Sequence, residues 1–288
     1  MASTRQLKSR IRSVKNTKQI TKAMQMVAAS KMRRAQDATK ASASYAAAAN
    51  ELLTFFAEQG EVKDHLLFQD RPVKTRLIIV IAADKGLAGA YNTNVMKKYL
   101  KLLREDDVAG IKNQTIAVGR KASQFVSRLK DTEVIGTYED LPDHPRGTVF
   151  YAILDTAIEA FKDQEVDAVD IVYTNFYTSI RQDTEVLRIL PAGYTKTAVS
   201  EDVRTAVYEP SMQVVLDGVA KRLVGAEIFQ ALLDARASEH SMRMVAMKNA
   251  TDNASDLVDD LTLAMNKARQ SAITQELSEI SAGVEAMN

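Results

Sequence analysis

The sequence contains no cysteine, and its five prolines are confined to one stretch. Without thiols there is no disulfide framework, no thiolate nucleophile and no Cys-type metal site, which suits a reducing compartment. No excess of one charge is present either: the formal net charge is +1, so composition gives no overall steer toward nucleic acid or acidic substrates. Long apolar runs are missing too. The longest, Leu77 to Ala83, falls far short of the ~20 residues that a helix needs to cross a bilayer. With 46% hydrophobic and 26% charged residues over 288 positions, the chain can bury a sizeable core, which argues against disorder.

The helix breakers are as informative by position as by number. Pro72, Pro142, Pro145, Pro191 and Pro210 are all of the prolines, and residues 1–59 and 226–282 contain neither glycine nor proline. Both residue types penalise a helix interior, so two long uninterrupted helices are expected at the ends of the chain. Residues 1–30 are rich in Arg, Lys and Ser and hold no acid, a composition shared with organelle transit peptides. The helical period nevertheless runs on to Phe56. A cleavable address has no need to keep register with the mature chain, so a structural helix is the expectation.

The terminal segments carry a repeat close to 3.5 residues. In the first, Leu7, Ile11, Val14, Met24, Ala28, Met32, Ala35, Ser42, Tyr45, Ala49, Leu52 and Phe56 follow it. In the last, Val219, Leu223, Ala226, Leu233, His240, Met244, Met247, Ala254, Leu261, Met265, Ala268 and Ala272 do the same. This is the pattern of a left-handed coiled coil. The chain enters the middle along one helix and leaves along the other, so the pair should be antiparallel, with the longer last helix overhanging the first. At ~1.5 Å per residue that helix would reach on the order of 110 Å and project from any globular body. The seam favours Ala, Ser and Met over large branched residues, and places Lys18, Thr21 and His240 within it. It is tuned for close approach rather than for maximum stability.

The middle alternates strands with helices. Arg76–Ala82 reads as a strand covered on both faces. A turn, Asp84-Lys85-Gly86-Leu87-Ala88-Gly89, leads to a helix around 94–104. A strand at 115–118, a helix at 120–129, a short strand at 133–136, a helix at 149–161 and a strand at 168–174 come next. Residues 183–190 read as an added strand ended by Pro191. The expected fold is therefore α/β with long terminal helices: an antiparallel two-helix coiled coil plus a central Rossmann-like domain with a largely parallel sheet. The expected divisions are 1–58, 73–200 and 208–288.

Catalytic constellations are not found. The turn at Gly86 and Gly89 gives G-x-x-G, which matches neither dinucleotide nor phosphate-loop fingerprints. The acids at the ribose-binding distance, Asp106 and Asp107, come after a helix rather than a strand. His65, His144 and His240 stand apart, without metal-ligand spacing. No nucleophile elbow is present. No catalytic residue, cofactor or metal is expected.

Charge is instead segregated. Arg5, Lys8, Arg10, Arg12, Lys15, Lys18, Lys22, Lys31, Arg33 and Arg34 crowd the first helix, with Asp37 the only acid before residue 50. A basic arm for nucleic acid or an anionic membrane is one reading, although no aromatic residue that could stack on bases lies in that stretch. A second reading places Lys8 to Lys15 opposite the helical stripe Asp252, Asp256, Asp259 and Asp260, with the remaining positive charge facing an acidic partner.

Several long motifs bear on these alternatives. Residues 16–32 (NTKQITKAMQMVAASKM), 243–254 (RMVAMKNATDNA) and 266–277 (NKARQSAITQEL) closely resemble the gamma subunits of F-type ATP synthases. The turn at 84–89 resembles the turn in that family's central domain. The family's ending has Gly-Ala where this chain has Gly283-Val284. The resemblance implies a non-catalytic rotor subunit: an asymmetric shaft inside a ring of alpha and beta subunits, with a foot on the epsilon subunit and a membrane ring of c subunits. Proton flow would turn the shaft and drive ATP synthesis at the beta subunits. It implies beta and alpha contacts at Lys22, Met24, Asp84, Lys85, Arg243, Lys248, Arg269, Gln270, Thr274 and Glu276, a greasy sleeve around the tail from Ile273, and foot contacts at Tyr208 and Glu209. It further implies one copy per complex, no nucleic acid, and a peripheral position on the cytoplasmic face of a bacterial membrane. The last expectation rests on the absence of both a presequence and a cysteine-bearing insert. A structural coiled-coil adaptor at the membrane surface is the alternative.

Overall fold

The computed structural model describes residues 4–58, 65–130, 132–140, 142, 147–193, 196–209 and 211–285. Two helices dominate, α1 (Thr4–Glu58) and α6 (Met212–Glu285). Between them lie a 3-10 turn (Leu66–Phe68), β1 (Thr75–Ile81), α2 (Tyr91–Ala109), β2 (Lys112–Val118) and α3 (Arg120–Val126). They are followed by β3 (Glu133–Tyr138), α4 (Thr148–Lys162), β4 (Ala168–Phe176), β5 (Gln182–Leu190) and α5 (Glu201–Thr205). The chain divides into two compact units, one of residues 1–28 with 244–288, the other of residues 29–243.

The first unit is a helix pair. Lys18 Nζ donates to Ser255 Oγ at 2.8 Å, and Thr251 Oγ1 to Thr21 Oγ1 at 2.9 Å. Three residues forward on α1 correspond to four residues back on α6, so the pair is antiparallel. Leu7, Ile11, Ala28, Met247, Thr251 and Ala254 are buried in it. The polar seam positions thus bond across the seam, where a shift of one turn would leave their hydroxyl and ammonium groups unpaired. This register corrects one expectation. The partner of Lys8 lies near residue 265, which leaves Asp259 roughly 9 Å further along the axis. Asp252, Asp256, Asp259 and Asp260 are exposed, and no ion pair between them and Lys8 or Lys15 occurs among the described residues. From Arg269 to Ala282 every residue of α6 is exposed, so no seam continues there; the side chains at Gly283 and Val284 lie outside the described residues.

The second unit is a three-layer sandwich. Its sheet has the order β3-β2-β1-β4-β5. β1 runs parallel to both β2 and β4, while β5 is antiparallel to β4. Alternate residues of β1 explain its continuous apolar run. Leu77, Ile79 and Ile81 face a core shared with Leu53 and Phe56 of α1, Ile153 and Phe161 of α4, and Val224 and Leu232 of α6. Ile78 and Val80 face Val95 and Tyr99 of α2 and Ala122 and Val126 of α3. Beneath α2, Arg76 joins Asp106 at 3.0 Å and also pairs with Asp170, which Arg188 of β5 holds from the other side. The four charges cancel within one buried cluster.

In this unit α1 keeps its seam through Met32, Ala35, Thr39, Ala49 and Phe56, and Ser42 donates to Gln230 of α6 at 2.6 Å. Tyr45 is not part of it. Its ring is exposed, and the half-buried Ala46 takes the position. On α6, residues 231–235 and 237–241 are all buried, as in a helix covered on every side.

Candidate functional site

The order of the sheet reverses at β1, whose neighbours β2 and β4 are reached by opposite crossings. In open α/β sheets the crevice beyond the carboxyl ends of such strands is where ligands bind. Here α6 fills it. Leu232, Ala235, Arg236 and Glu239 close over Ile81, Ala82, Tyr91, Val118 and Gly119, leaving a cavity of ≈ 10 Å³. That is about the size of one water probe and far too small for a nucleotide. Gly119 allows the chain after β2 to lie close against the end of β1: at φ +90 its Cβ would sit 2.1 Å from the Ala82 carbonyl oxygen.

A charged cluster binds the turn after β1 to this helix. Asp84 Oδ1 accepts the backbone N–H groups of Arg120 at 3.0 Å and Asp140 at 2.9 Å, and Oδ2 accepts from Arg236 at 3.2 Å. Burial by itself raises the pKa of Asp84, but the two N–H groups and the Arg236 charge outweigh it and hold the carboxyl below the usual range. Arg236 donates to Glu239 at 2.9 Å, and Glu239 accepts from Arg243 at 2.7 Å. Burial opposes the charge on Arg236, yet Glu239 and Asp84 raise its pKa. Arg243 reaches back to the turn, donating to the carbonyls of Lys85 at 3.2 Å and Gly86 at 3.4 Å. Asn92 Oδ1 accepts from Ala83 N at 3.0 Å. Beneath lies Tyr91, fully buried, its pKa driven upward by burial and by the Glu239 charge.

The turn therefore brings together three of the sequence-derived positions, Asp84, Lys85 and Arg243. Both carboxylate oxygens of Asp84 are committed inside the unit, and Arg243 is largely occupied. Lys85 is exposed, as is Leu87, which adopts φ 61. Arg236 and Glu239 were missed by sequence reasoning. The available signal was a set of charged residues at i, i+3 and i+7 on one face of an otherwise small and apolar stretch of α6.

The remaining positions lie elsewhere. In the helix pair, Lys22 is exposed and donates to Gln25 at 3.2 Å, Met24 is half-buried, and Lys248 is exposed. Arg269, Gln270, Thr274 and Glu276 are exposed on the seamless part of α6, where Thr274 donates only to its own helix, to the Gln270 carbonyl at 3.0 Å. Ile273, Leu277 and Ile280 form an exposed apolar stripe on that part. Tyr208 and Glu209 diverge. The ring of Tyr208 stacks on Phe55 at 5.9 Å and meets Phe56 at 5.5 Å, and its hydroxyl donates to the Val203 carbonyl at 3.3 Å. Burial raises its pKa. Glu209 is exposed.

Among the described residues, no group of three His, Asp or Glu side chains is placed to hold a metal ion, and no helix is long and apolar enough to cross a membrane.

Comparison with known proteins supplies the family. A family profile described as ATP synthase matches residues 3–287. The ATP synthase gamma chain of Cupriavidus pinatubonensis is 39% identical over 292 residues, covering 100% of both chains. That of Xylella fastidiosa is 38% identical over 288 residues, again covering 100% of both. Among solved structures, a chain of the Euglena gracilis mitochondrial ATP synthase (OSCP/F1/c-ring, rotational state 3) superposes with a TM-score of 0.68 at 22% identity, covering 99% of this chain and 94% of that one. A chain of the Tetrahymena thermophila mitochondrial ATP synthase central stalk and c-ring gives 0.59 at 23% identity, covering 80% and 99%. The long paired helices, the five-stranded mixed sheet and full-length identity to bacterial relatives agree, and the chain belongs to the ATP synthase gamma chain family.

Proposed function

We propose that this chain is the central-stalk rotor of an F-type ATP synthase, a non-catalytic subunit that couples proton flow through a membrane ring to ATP synthesis on the beta subunits. The observation that carries the reading is the segregation of charge between the two helices of the pair. Residues 1–28 hold seven Lys and Arg and no acid, while residues 252–260 of α6 hold four aspartates and no base. The seam is already satisfied within the pair, and all of these charges except the seam-bonded Lys18 are exposed, so the basic helix and the acidic stretch are left for partners. Turning such an object inside a ring presents each surrounding subunit with a different face in succession. A ring subunit whose conformers differ in contact energy with those faces changes population as the pair turns, with no catalytic group on the shaft.

In this reading residues 1–58 and 208–288 form the shaft and residues 73–200 belong to the foot. Lys22, Met24, Lys85 and Lys248 face the beta levers, and Asp84 and Arg243 act there by shaping the turn. Arg269, Gln270, Thr274 and Glu276, with the stripe Ile273, Leu277 and Ile280, sit in the upper bearing formed by alpha and beta. Glu209 meets the epsilon subunit or the ring of c subunits, while Tyr208 supports it from inside. One copy serves each complex, at the cytoplasmic face of a bacterial membrane. The exposure of every one of the contacting positions except the half-buried Met24 supports this assignment.

Single-molecule rotation tests it. The absence of native cysteine allows a single tag through Lys112→Cys, at an exposed position of the sheet unit. With the alpha–beta ring fixed to a surface, ATP should drive unidirectional stepping of the tag in thirds of a turn. A complex that assembles and hydrolyses ATP while the tag stays still would leave the chain a static organiser.

A further inference from the structure

The crevice at the carboxyl ends of the strands is filled by α6, but the opposite end of the same sheet carries an open groove of ≈ 590 Å³. That size lies within the ~300–1,000 Å³ of small-molecule clefts. Three walls enclose it: the C-terminal half of α2, the loop from α2 to β2, and the connection from α3 to β3. Its floor is apolar. Leu100, Leu103, Ile111 and Leu129 line it and are only half-buried, and Leu103 and Leu129 rest on the core between the sheet and helices α2 and α3. Each wall also contributes one exposed cation, Arg104, Lys112 and Lys130. Among the described residues none of the three makes an ion pair; those of α2 are Arg76–Asp106 and Lys101–Glu105. Asp107 lies one turn beyond Arg104 without pairing with it, and Glu133 accepts from Gln114 at 3.2 Å. Against these two acids the three cations leave the lining with one positive charge in excess.

We propose that this groove binds a single-chain carboxylate amphiphile of medium length, its acyl chain on the leucine and isoleucine floor and its carboxylate among Arg104, Lys112 and Lys130. Each half of the ligand follows from a separate observation. Four half-buried apolar side chains side by side form a surface that is stabilised when water is displaced from it. Three cations without a counter-charge surround that surface, so an anion placed there meets attraction from every wall. An excess of one positive charge suits a monoanion rather than a polyanion such as a nucleotide. A two-chain lipid would leave most of its apolar surface outside a groove of this size, so the occupant is a soluble molecule. Because it touches the α2–β2 loop and the α3–β3 connection together, a bound amphiphile ties the two segments and stabilises the folded unit by mass action. The groove belongs to the sheet unit alone and does not depend on the rotor reading.

Decanoate below its micellar concentration is the probe, titrated by calorimetry into the full chain. Saturable binding of one decanoate per chain is expected, with a thermal midpoint that rises as decanoate is added. Octanoate should bind about fourfold more weakly, since each half-covered methylene contributes about twofold. Octanol, which keeps the chain and lacks the charge, should bind at least about fivefold more weakly than octanoate. Each of Arg104→Gln, Lys112→Gln and Lys130→Gln should weaken decanoate binding by about fivefold, the order of one exposed charge contact. Without ligand these variants should melt as the wild type does, because the three side chains are exposed. Unaltered decanoate affinity in all three variants, or equal affinity for octanol and octanoate, overturns the anion site. Heat that appears only above the micellar concentration overturns binding altogether. Phosphatidylglycerol vesicles that bind the wild-type chain but not the same variants, with no decanoate bound, would make the surface a membrane contact and overturn the soluble ligand.

Discussion

Replacing Asp84 by alanine should loosen the turn after β1 by an amount that can be worked from its contacts. The carboxylate accepts two backbone N–H groups and one arginine. Arg120 N is partly buried and loses its acceptor, at about 1–3 kcal/mol for an orphaned donor. Asp140 is exposed, so water replaces much of its bond. Arg236 keeps Glu239 and is not left alone, which holds its share near the low end of that range. The sum is roughly 3 kcal/mol, and Asp84→Asn, which retains an acceptor oxygen but turns an amide toward Arg236, should lose about half as much. Urea titration of the chain followed by circular dichroism reads this as a lower midpoint at constant slope. The pH dependence gives a second check. The folded-state pKa of Asp84 lies below its unfolded value. Its contribution is therefore complete above about pH 4 and is lost as pH falls through the folded-state value. The gap between wild type and Asp84→Ala should be level from neutral pH downward and then narrow. A midpoint change worth less than about 0.5 kcal/mol, the scatter of ordinary surface substitutions, would refute the claim that this carboxylate holds the turn.

Other changes test the rest of the fold. Gly119→Ala drives a Cβ into the Ala82 carbonyl at an unfavourable φ, and should cost more than about 3 kcal/mol, seen as failure to recover folded chain. Burial raises Glu227 to about 8 and Asp234 to about 7. Because these folded-state values exceed the unfolded ones, stability should fall as pH climbs through that range, and Glu227→Gln should flatten the slope in a melting series. In the helix pair, Thr21→Val alone strands the Thr251 hydroxyl only in part, since it also bonds the Met247 carbonyl. A loss of about 0.5–1.5 kcal/mol is expected. Exchanging the charges of Lys8 and Asp259 should give a coupling energy within about 0.2 kcal/mol of zero in a double-mutant cycle.

The last two predictions mark where sequence reading succeeds and where it stops. The positions of the seam were legible because the 3.5-residue repeat is a property of burial, and burial sorts residues by several kcal/mol. Tyr45 shows the resolution of that signal. A 3.5 spacing from Ser42 falls between residues 45 and 46, and an aromatic looks more buried than an alanine, yet the closely approaching helices admit Ala46 and turn the tyrosine outward. The register was not legible. Exposed charges at Lys8 and Asp259 contribute tenths of a kcal/mol, whereas Lys18–Ser255 and Thr21–Thr251, partly buried polar pairs with no distinctive spacing, decide it. The strands were found for a similar reason: β1, β2 and β4 are covered on two faces, so each carries buried apolar residues, continuous from Leu77 to Ile81 in β1 and as Ile116–Val118 and Ile171–Val172 in the others. Arg236 and Glu239 could not be assigned a role from sequence, since their meaning depends on a turn 152 residues away.

The helix that closes the sheet's crevice makes α6 a ligand tethered to its own receptor. A free nucleotide would occupy such a crevice only in proportion to its concentration, and occupancy would rise and fall with the metabolic state of the cell. A covalently attached occupant is present at an effective concentration on the order of millimolar or higher whatever the cell contains. The α/β unit is thereby removed from metabolite control: a scaffold that elsewhere opens and closes on small molecules is here held permanently in its occupied state.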